Sequence, residues 1–169
     1  IRYKDSSKFR DWTQFYNYTT ISIDQNSKID VDIRYHGNQG FGIFLKDSEI
    51  GHINAEIALA YDITDYLDSS EKTSYIKSGI YWDHNFNDYE IKLEIENYHQ
   101  ITDALNNNLS RTEILFEIYF PIKDNWRVIL GYEYEDFNID SDDSINSSAY
   151  LSIGYHDIFN FSRLKNKLF

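Results

Sequence analysis

A chain of 169 residues, 41% of them hydrophobic, makes one domain and is long enough for a real core or a small barrel. It has no cysteine, so disulfides and thiolate metal sites are excluded, and a net charge of −12 argues against nucleic acid or an anionic membrane surface as a partner. A mean hydropathy of −0.58, with no run near the ~18 apolar residues of a helical span, excludes a helical membrane protein but not a barrel, where only alternate residues meet lipid.

The first ten residues are polar and aperiodic, and read as a lead-in segment or the remnant of an earlier strand. Residues 12–24 alternate weakly, with Phe15, Thr19, Ile21 and Ile23 on one side and Tyr16 and Tyr18 on the other. Gln25-Asn26 reads as a tight turn into 28–36, where Ile33 and Tyr35 oppose Arg34 and His36. Gly37-Asn38-Gln39-Gly40 is expected to break the chain before a short strand at 41–46. A strand follows at 53–63, setting Ala55, Ile57, Leu59 and Tyr61 against Glu56, Ala58, Ala60 and Asp62.

After a polar loop at 64–73, residues 74–86 and 89–98 read as a hairpin. Pairing Trp82 with Ile91 would set Lys77 against Glu96 and Gly79 against Glu94. A second long loop, 99–110, carries Asn106-Asn107-Asn108. The clearest pattern is 111–137, where Ile114, Phe116, Ile118, Phe120 and then Trp126, Val128, Leu130 and Tyr132 alternate with charged or small residues. That is the period of two antiparallel strands. The turn Lys123-Asp124-Asn125 would pair Ile122 with Trp126 and put Glu113 opposite Glu135 and Glu117 opposite Gly131. A third loop at 138–147 precedes a strand at 149–155, and 159–169 reads as a last strand or tail.

These segments predict an all-β fold over 1–169, an antiparallel up-and-down β-barrel of about 8–10 strands. Seven glycines, one proline and 17% aromatic residues fit long, regular strands. The lack of methionine, even at position 1, reads as a processed or trimmed chain. Long loops alternate with short turns through the second half, as in outer-membrane barrels. The strand parity leaves the tail as an extra strand or the chain as part of a larger barrel.

Orientation decides the class. The charged row also holds Ala58, Ala60, Gly79, Gly131, Ser152 and Gly154, which weaken a solvent-facing strand but make room inside a narrow barrel. That favours carboxylates inward and apolar residues toward lipid. Trp82, Tyr89, Tyr98, Trp126, Tyr134 and Tyr155 would then form interfacial girdles. The alternative is a soluble lipocalin-like barrel holding an apolar ligand. Alternating strands, loop asymmetry and the terminal Phe169 together resemble a small bacterial outer-membrane β-barrel, with Phe169 similar to the terminal aromatic by which insertion machinery recognises such chains. The resemblance covers 12–169 and implies the outer membrane as location and lipid as partner.

The inward row would carry Glu56, Asp62, Glu90, Lys92, Glu94, Glu96, Glu113, Glu117, Arg127, Glu133 and Glu135. Of these, Glu94, Glu113, Glu117, Arg127, Glu133 and Glu135 are the candidate binding residues of an acidic passage for small solutes or neutral-to-cationic saccharides. The terminal barrel of an exporter is one form of it. The same residues with Lys77 and Arg34 could instead be a structural network filling a narrow barrel. A third expectation is a surface barrel acting structurally or adhesively through its loops. Asp140, Asp142 and Asp143 have loop spacing for Ca²⁺ but lack the Gly and Glu of an EF-hand, and read as a solvated acidic loop. The five histidines are scattered singly, and Asp83-His84 and His156-Asp157 point to opposite strand faces. No nucleophile–base set assembles, so no enzyme activity, metal or cofactor is expected.

Overall fold

A computed structural model of the chain describes residues 2–26, 31–66, 70–102, 109–123, 125–137 and 144–155. Its regular structure, among those residues, is entirely β: β1 (Arg2–Lys8), β2 (Phe15–Asn26), β3 (Val31–Ser48), β4 (Gly51–Tyr66), β5 (Ser70–Asn85), β6 (Glu90–Gln100), β7 (Arg111–Lys123), β8 (Trp126–Phe137) and β9 (Ser144–Tyr155). Each strand pairs antiparallel with the next, giving one nine-stranded up-and-down sheet. The Asp140 loop, Asn106-Asn107-Asn108, His156-Asp157 and 159–169 lie outside the described residues.

The sheet curls strongly, because side chains of distant strands meet across its concave face. Lys4 of β1 reaches Glu56 of β4, Arg111 of β7 reaches Asp62 of β4, and Arg34 of β3 reaches Glu135 of β8. Yet β1 and β9 do not pair with each other, so the described sheet is not closed into the expected barrel. Ion pairs draw the inner faces together without bringing the two edge backbones into hydrogen-bonding register.

Strand parity sorts the residues sharply. Outward-facing Leu59 and Leu151 are 66% and 70% exposed, and Ile57, Ile76, Ile80, Leu130 and Ile153 are exposed with them. Inward-facing Glu56, Asp62, Lys77, Glu96, Arg111 and Glu117 are buried. The hollow of the sheet is therefore lined by charge and hydroxyl, and its convex face by hydrocarbon.

Five sequence expectations change. Residues 37–40 do not break the chain; β3 runs through them for 18 residues. Gly40 lies between Tyr18 and Ala58, and Gly42 lies under the Tyr16 ring, so these glycines admit close neighbours rather than form a turn. Residues 2–8 form a paired edge strand, and Gln25-Asn26 continues β2 instead of turning. The β5–β6 register is displaced by two, with Trp82 opposite Leu93, Lys77 opposite Tyr98 and Gly79 opposite Glu96. At the tip of β7, Lys123 pairs with Trp126 after a bulge beside Pro121, which has no N–H to donate. Below that bulge Glu113 opposes Glu135 and Glu117 opposes Gly131 as expected.

The loop asymmetry is milder than the sequence suggests, because β4 runs to Tyr66 and β5 begins at Ser70, leaving three residues where a loop over 64–73 is expected. Glu49-Ile50 alone joins β3 to β4, and residues 124–125 join β7 to β8, whereas 101–110 join β6 to β7 at the other end. Gly51 after the first of these turns has φ +155°, and a Cβ there would lie 2.2 Å from the Asp83 carbonyl oxygen.

Two glycines of β3 provide a test of this packing. A Cβ on Gly40 would fall 2.1 Å from the Ile57 carbonyl oxygen, while one on Gly37 meets nothing within 4 Å. Gly40→Ala should cost about 1–3 kcal/mol by overpacking, and Gly37→Ala should be neutral or stabilise by roughly 0.4–1 kcal/mol. Equal unfolding midpoints for the two variants in a denaturant titration would contradict the described register of β3 on β4.

Candidate functional site

The inner wall is organised around Lys77 and Glu96 at its centre. Lys77, 1% exposed, donates from Nζ to Glu96 Oε1 at 2.6 Å. Tyr81 donates to the same oxygen and Tyr98 to Oε2, both at 2.6 Å. The ammonium also stands 5.8 Å from the Tyr81 ring and 5.5 Å from that of Tyr98. A buried ion pair persists only when its remaining donors and acceptors are satisfied, and the two phenols supply that here. Tyr81 fits because Gly79, two residues before it, leaves the space its ring occupies.

Toward the end of the sheet that carries 101–110, Arg111 is 4% exposed and serves three carboxylates. Its Nε donates to Glu113 at 2.6 Å and lies 3.6 Å from Glu135, while Nη2 lies 3.1 Å from Asp62. Its guanidinium plane sits 4.1 Å from the Tyr98 ring centroid and 5.0 Å from that of Tyr75. Arg34 donates to Glu135 at 3.2 Å from across the hollow. The Glu113–Glu135 pair, which like charge would otherwise drive apart, is thus held by two arginines. Asp62 also bonds His36 Nδ1, and the Asn38 amide lies 2.8 Å from His36 Nε2.

These groups border a cavity of about 630 Å³ on the concave side, between β2–β3 and β6–β9. Of the residues expected to bind, Glu94, Glu113, Glu133 and Glu135 line it together. Glu133 has the Ser148 hydroxyl at 3.5 Å and no cation partner among the described residues. Glu117 and Arg127 are inward, as expected, but lie toward the other end. There Glu117 accepts hydrogen bonds from Tyr119 at 2.5 Å and Tyr150 at 2.6 Å, with Lys92 at 3.7 Å, and Arg127 donates to Glu90 at 2.7 Å. Lys92 also lies 3.0 Å from Glu94.

The interior contains residues that the sequence pattern did not single out. Tyr98 was expected in a girdle but is inward, 3% exposed, wedged between His36 and Tyr75. Its parity with Glu94 and Glu96 was the available signal. Lys4, Tyr75 and Tyr81 also belong to the wall. His36 with Asp62 and His52 with Asp83 (2.9 Å) join residues from adjacent strands that are far apart in sequence. Among the described residues no cluster of three or more His, Asp or Glu is placed to hold a metal ion.

Chemically the wall offers fixed carboxylates, mostly answered by fixed cations, around a wet cavity in which negative charge is in excess. Such a lining suits cations and polyhydroxylated solutes and is hostile to hydrocarbon. Compared with known proteins, the chain matches no family model, no curated protein and no solved structure.

Lys77→Met leaves Glu96 buried without its cation and should destabilise the fold by about 3–5 kcal/mol. Adding Glu96→Gln to that variant should recover a substantial part of the loss. Denaturant midpoints of the four proteins in this cycle measure the coupling, and additive effects would mean that the pair is not enclosed.

Proposed function

We propose that this chain forms the wall of a membrane-spanning β-barrel of the bacterial outer-membrane kind. Its acid-rich interior serves as a narrow passage for small cationic or polyhydroxylated solutes, saccharides among them. One observation carries the proposal: the polarity of the sheet is reversed relative to a water-soluble domain. Enclosing Lys77, Glu96, Arg111 and Asp62 while leaving Leu59, Leu130, Leu151 and Ile153 uncovered would be costly in water, because the charges lose hydration and the hydrocarbon stays wet. Against lipid the same outward face is favourable.

The dimensions support this reading. On β4 the outward row from Ile53 to Tyr61 covers nine residues, in line with the roughly 9–11 that a tilted membrane-spanning strand uses. Outward aromatics gather at the short-turn end, where Phe86 stacks on Tyr89 at 4.7 Å and Trp126 packs on Tyr155 at 5.3 Å. Tyr35 and Tyr61 are exposed toward the other end. Lipid tolerates no unpaired strand edge, so this reading requires further strands alongside β1 and β9.

A second reading is a closed structural barrel acting through its loops. Lys77 and Arg111 favour it, since both are almost wholly buried and fill the hollow, Lys77 at its centre and Arg111 toward the 101–110 end.

Planar-bilayer recording distinguishes the two. The passage predicts detergent-dependent solubility and a small cation-preferring conductance. Replacing Glu113, Glu133 and Glu135 together by Gln should lower the cation preference several-fold. Detergent-dependent protein with no conductance would favour the structural barrel, and protein dispersed without detergent would defeat the membrane reading altogether.

A further inference from the structure

Lys4 lies on edge strand β1, and its side chain leaves that strand to cross the hollow. Its Nζ donates to Glu56 Oε1 at 2.5 Å, 4.5 Å from the centroid of the Tyr18 ring and 4.9 Å from that of Tyr81. The Glu56 side chain is 0% exposed, whereas that of Lys4 is 32% exposed, so the ammonium approaches an enclosed carboxylate from the open side. Tyr16 donates to the same Oε1 at 2.6 Å, and Asn54 Nδ2 steadies the Tyr16 hydroxyl at 2.5 Å.

Every part of this receptor except Lys4 comes from β2, β4 and β5. Aromatic faces around a buried carboxylate are the means by which proteins hold organic ammonium groups. The receptor also has capacity that Lys4 leaves unused. Glu56 Oε2 is buried and accepts no hydrogen bond of normal geometry among the described residues, and the Tyr18 hydroxyl stands near this carboxylate without completing one. The occupant, meanwhile, is a side chain that is 32% exposed, on a strand that pairs only with β2 among the described residues. Such a side chain can swing toward the open side without the strand moving.

We propose that Tyr18, Tyr81 and Glu56 form an alkylammonium-binding site that Lys4 fills as a tethered guest, and that the primary amine of a small solute takes its place when the Lys4 side chain swings out. The guest is a primary amine because the contact with Oε1 requires an N–H, which a quaternary ammonium lacks. A free amine brings three donors, enough to reach Oε2 as well. An amino sugar or a polyamine terminus carries this group. The site rests on the inner wall alone, and does not require a membrane or a continuous passage.

The test is chemical rescue in the full chain, kept in detergent or in plain buffer as its solubility dictates. Lys4→Ala retains Cβ and removes what n-propylammonium replaces. Thermal unfolding of this variant should begin several degrees below wild type, and millimolar n-propylammonium should raise its midpoint by roughly 2–4 °C. Equal concentrations of sodium or tetramethylammonium should not. Lys4→Met, whose stem fills the space without a charge, should not respond, nor should Lys4→Ala with Glu56→Gln. A rise of the same size in Lys4→Met, or none beyond that of sodium in Lys4→Ala, would overturn the proposal.

Discussion

The enclosure of Lys77 with Glu96 is the constraint to which the other features answer. Both side chains lie buried in a protein wall, and the contact is tolerable only because Tyr81 and Tyr98 complete the carboxylate's hydrogen bonds. Side chains alternate along a strand, so holding Lys77 inward forces Ile76, Ser78 and Ile80 outward. A slip of one residue would exchange the faces and expel the pair. The same coupling holds on β4, where Glu56, Asp62 and the small Ala58 and Ala60 alternate with Ile57, Leu59 and Tyr61. The apolar convex surface is thus the necessary counterpart of a charged concave one.

Crowding so many long polar side chains into one hollow raises a steric problem, which glycine solves repeatedly. Tyr16 on β2 passes over Gly42 on β3 to reach Glu56 on β4, and these three residues stand in one lateral row. Tyr150 on β9 passes over Gly131 on β8 to reach Glu117 on β7 in the same way. Gly79 makes room for Tyr81 beside Glu96. In each case a missing Cβ lets a phenol lie flat against the backbone and deliver its hydroxyl to a carboxylate one strand farther on. These hydroxyls supplement the cations as neutral donors. The wall therefore supplies hydrogen bonds to its carboxylates without matching each to a lysine or arginine, in keeping with a net charge of −12.

This arrangement explains what the sequence disclosed. The faces of β4, β7 and β8 were legible because alternation over ten or more residues fixes parity whatever the neighbours do. The β7–β8 register was legible as well, because a very short turn leaves little freedom, and only the bulge beside Pro121 escaped. The turn at 86–89 is longer and closes with a bond from Phe86 N to Tyr89 O, so register there could be wrong by two while parity stayed right. Hence Gly79 was assigned Glu94 instead of Glu96. Reading Gly37–Gly40 as a break concealed the most, since the continuity of β3 is what aligns His36 with Asp62. Residues 2–8 showed no period because both faces of β1 are polar. Contacts across the hollow, such as Arg34 with Glu135 or Lys4 with Glu56, depend on curvature, which a period of two does not encode.

The two edges of the sheet are chemically unlike. The twelve residues of β9 include no Asp, Glu, Lys, Arg or Pro in a chain that is 26% charged, and its outward side presents Ile145, Ala149, Leu151, Ile153 and Tyr155. Natural sheets protect such edges with charge, proline or brevity, and β9 has none of these. β1 is short and polar, and sends Lys4 into the hollow toward Glu56, while Lys8 meets Asp47 in an exposed pair. The described sheet is therefore bounded on one side by an uncharged strand and on the other by a strand that lends a cation to the interior. Because Lys4 already holds Glu56 Oε1, a guest cation at the site proposed above would have to displace it. Selection there would act by exchange, with the chain's own ammonium group setting the strength of interaction that a guest has to match.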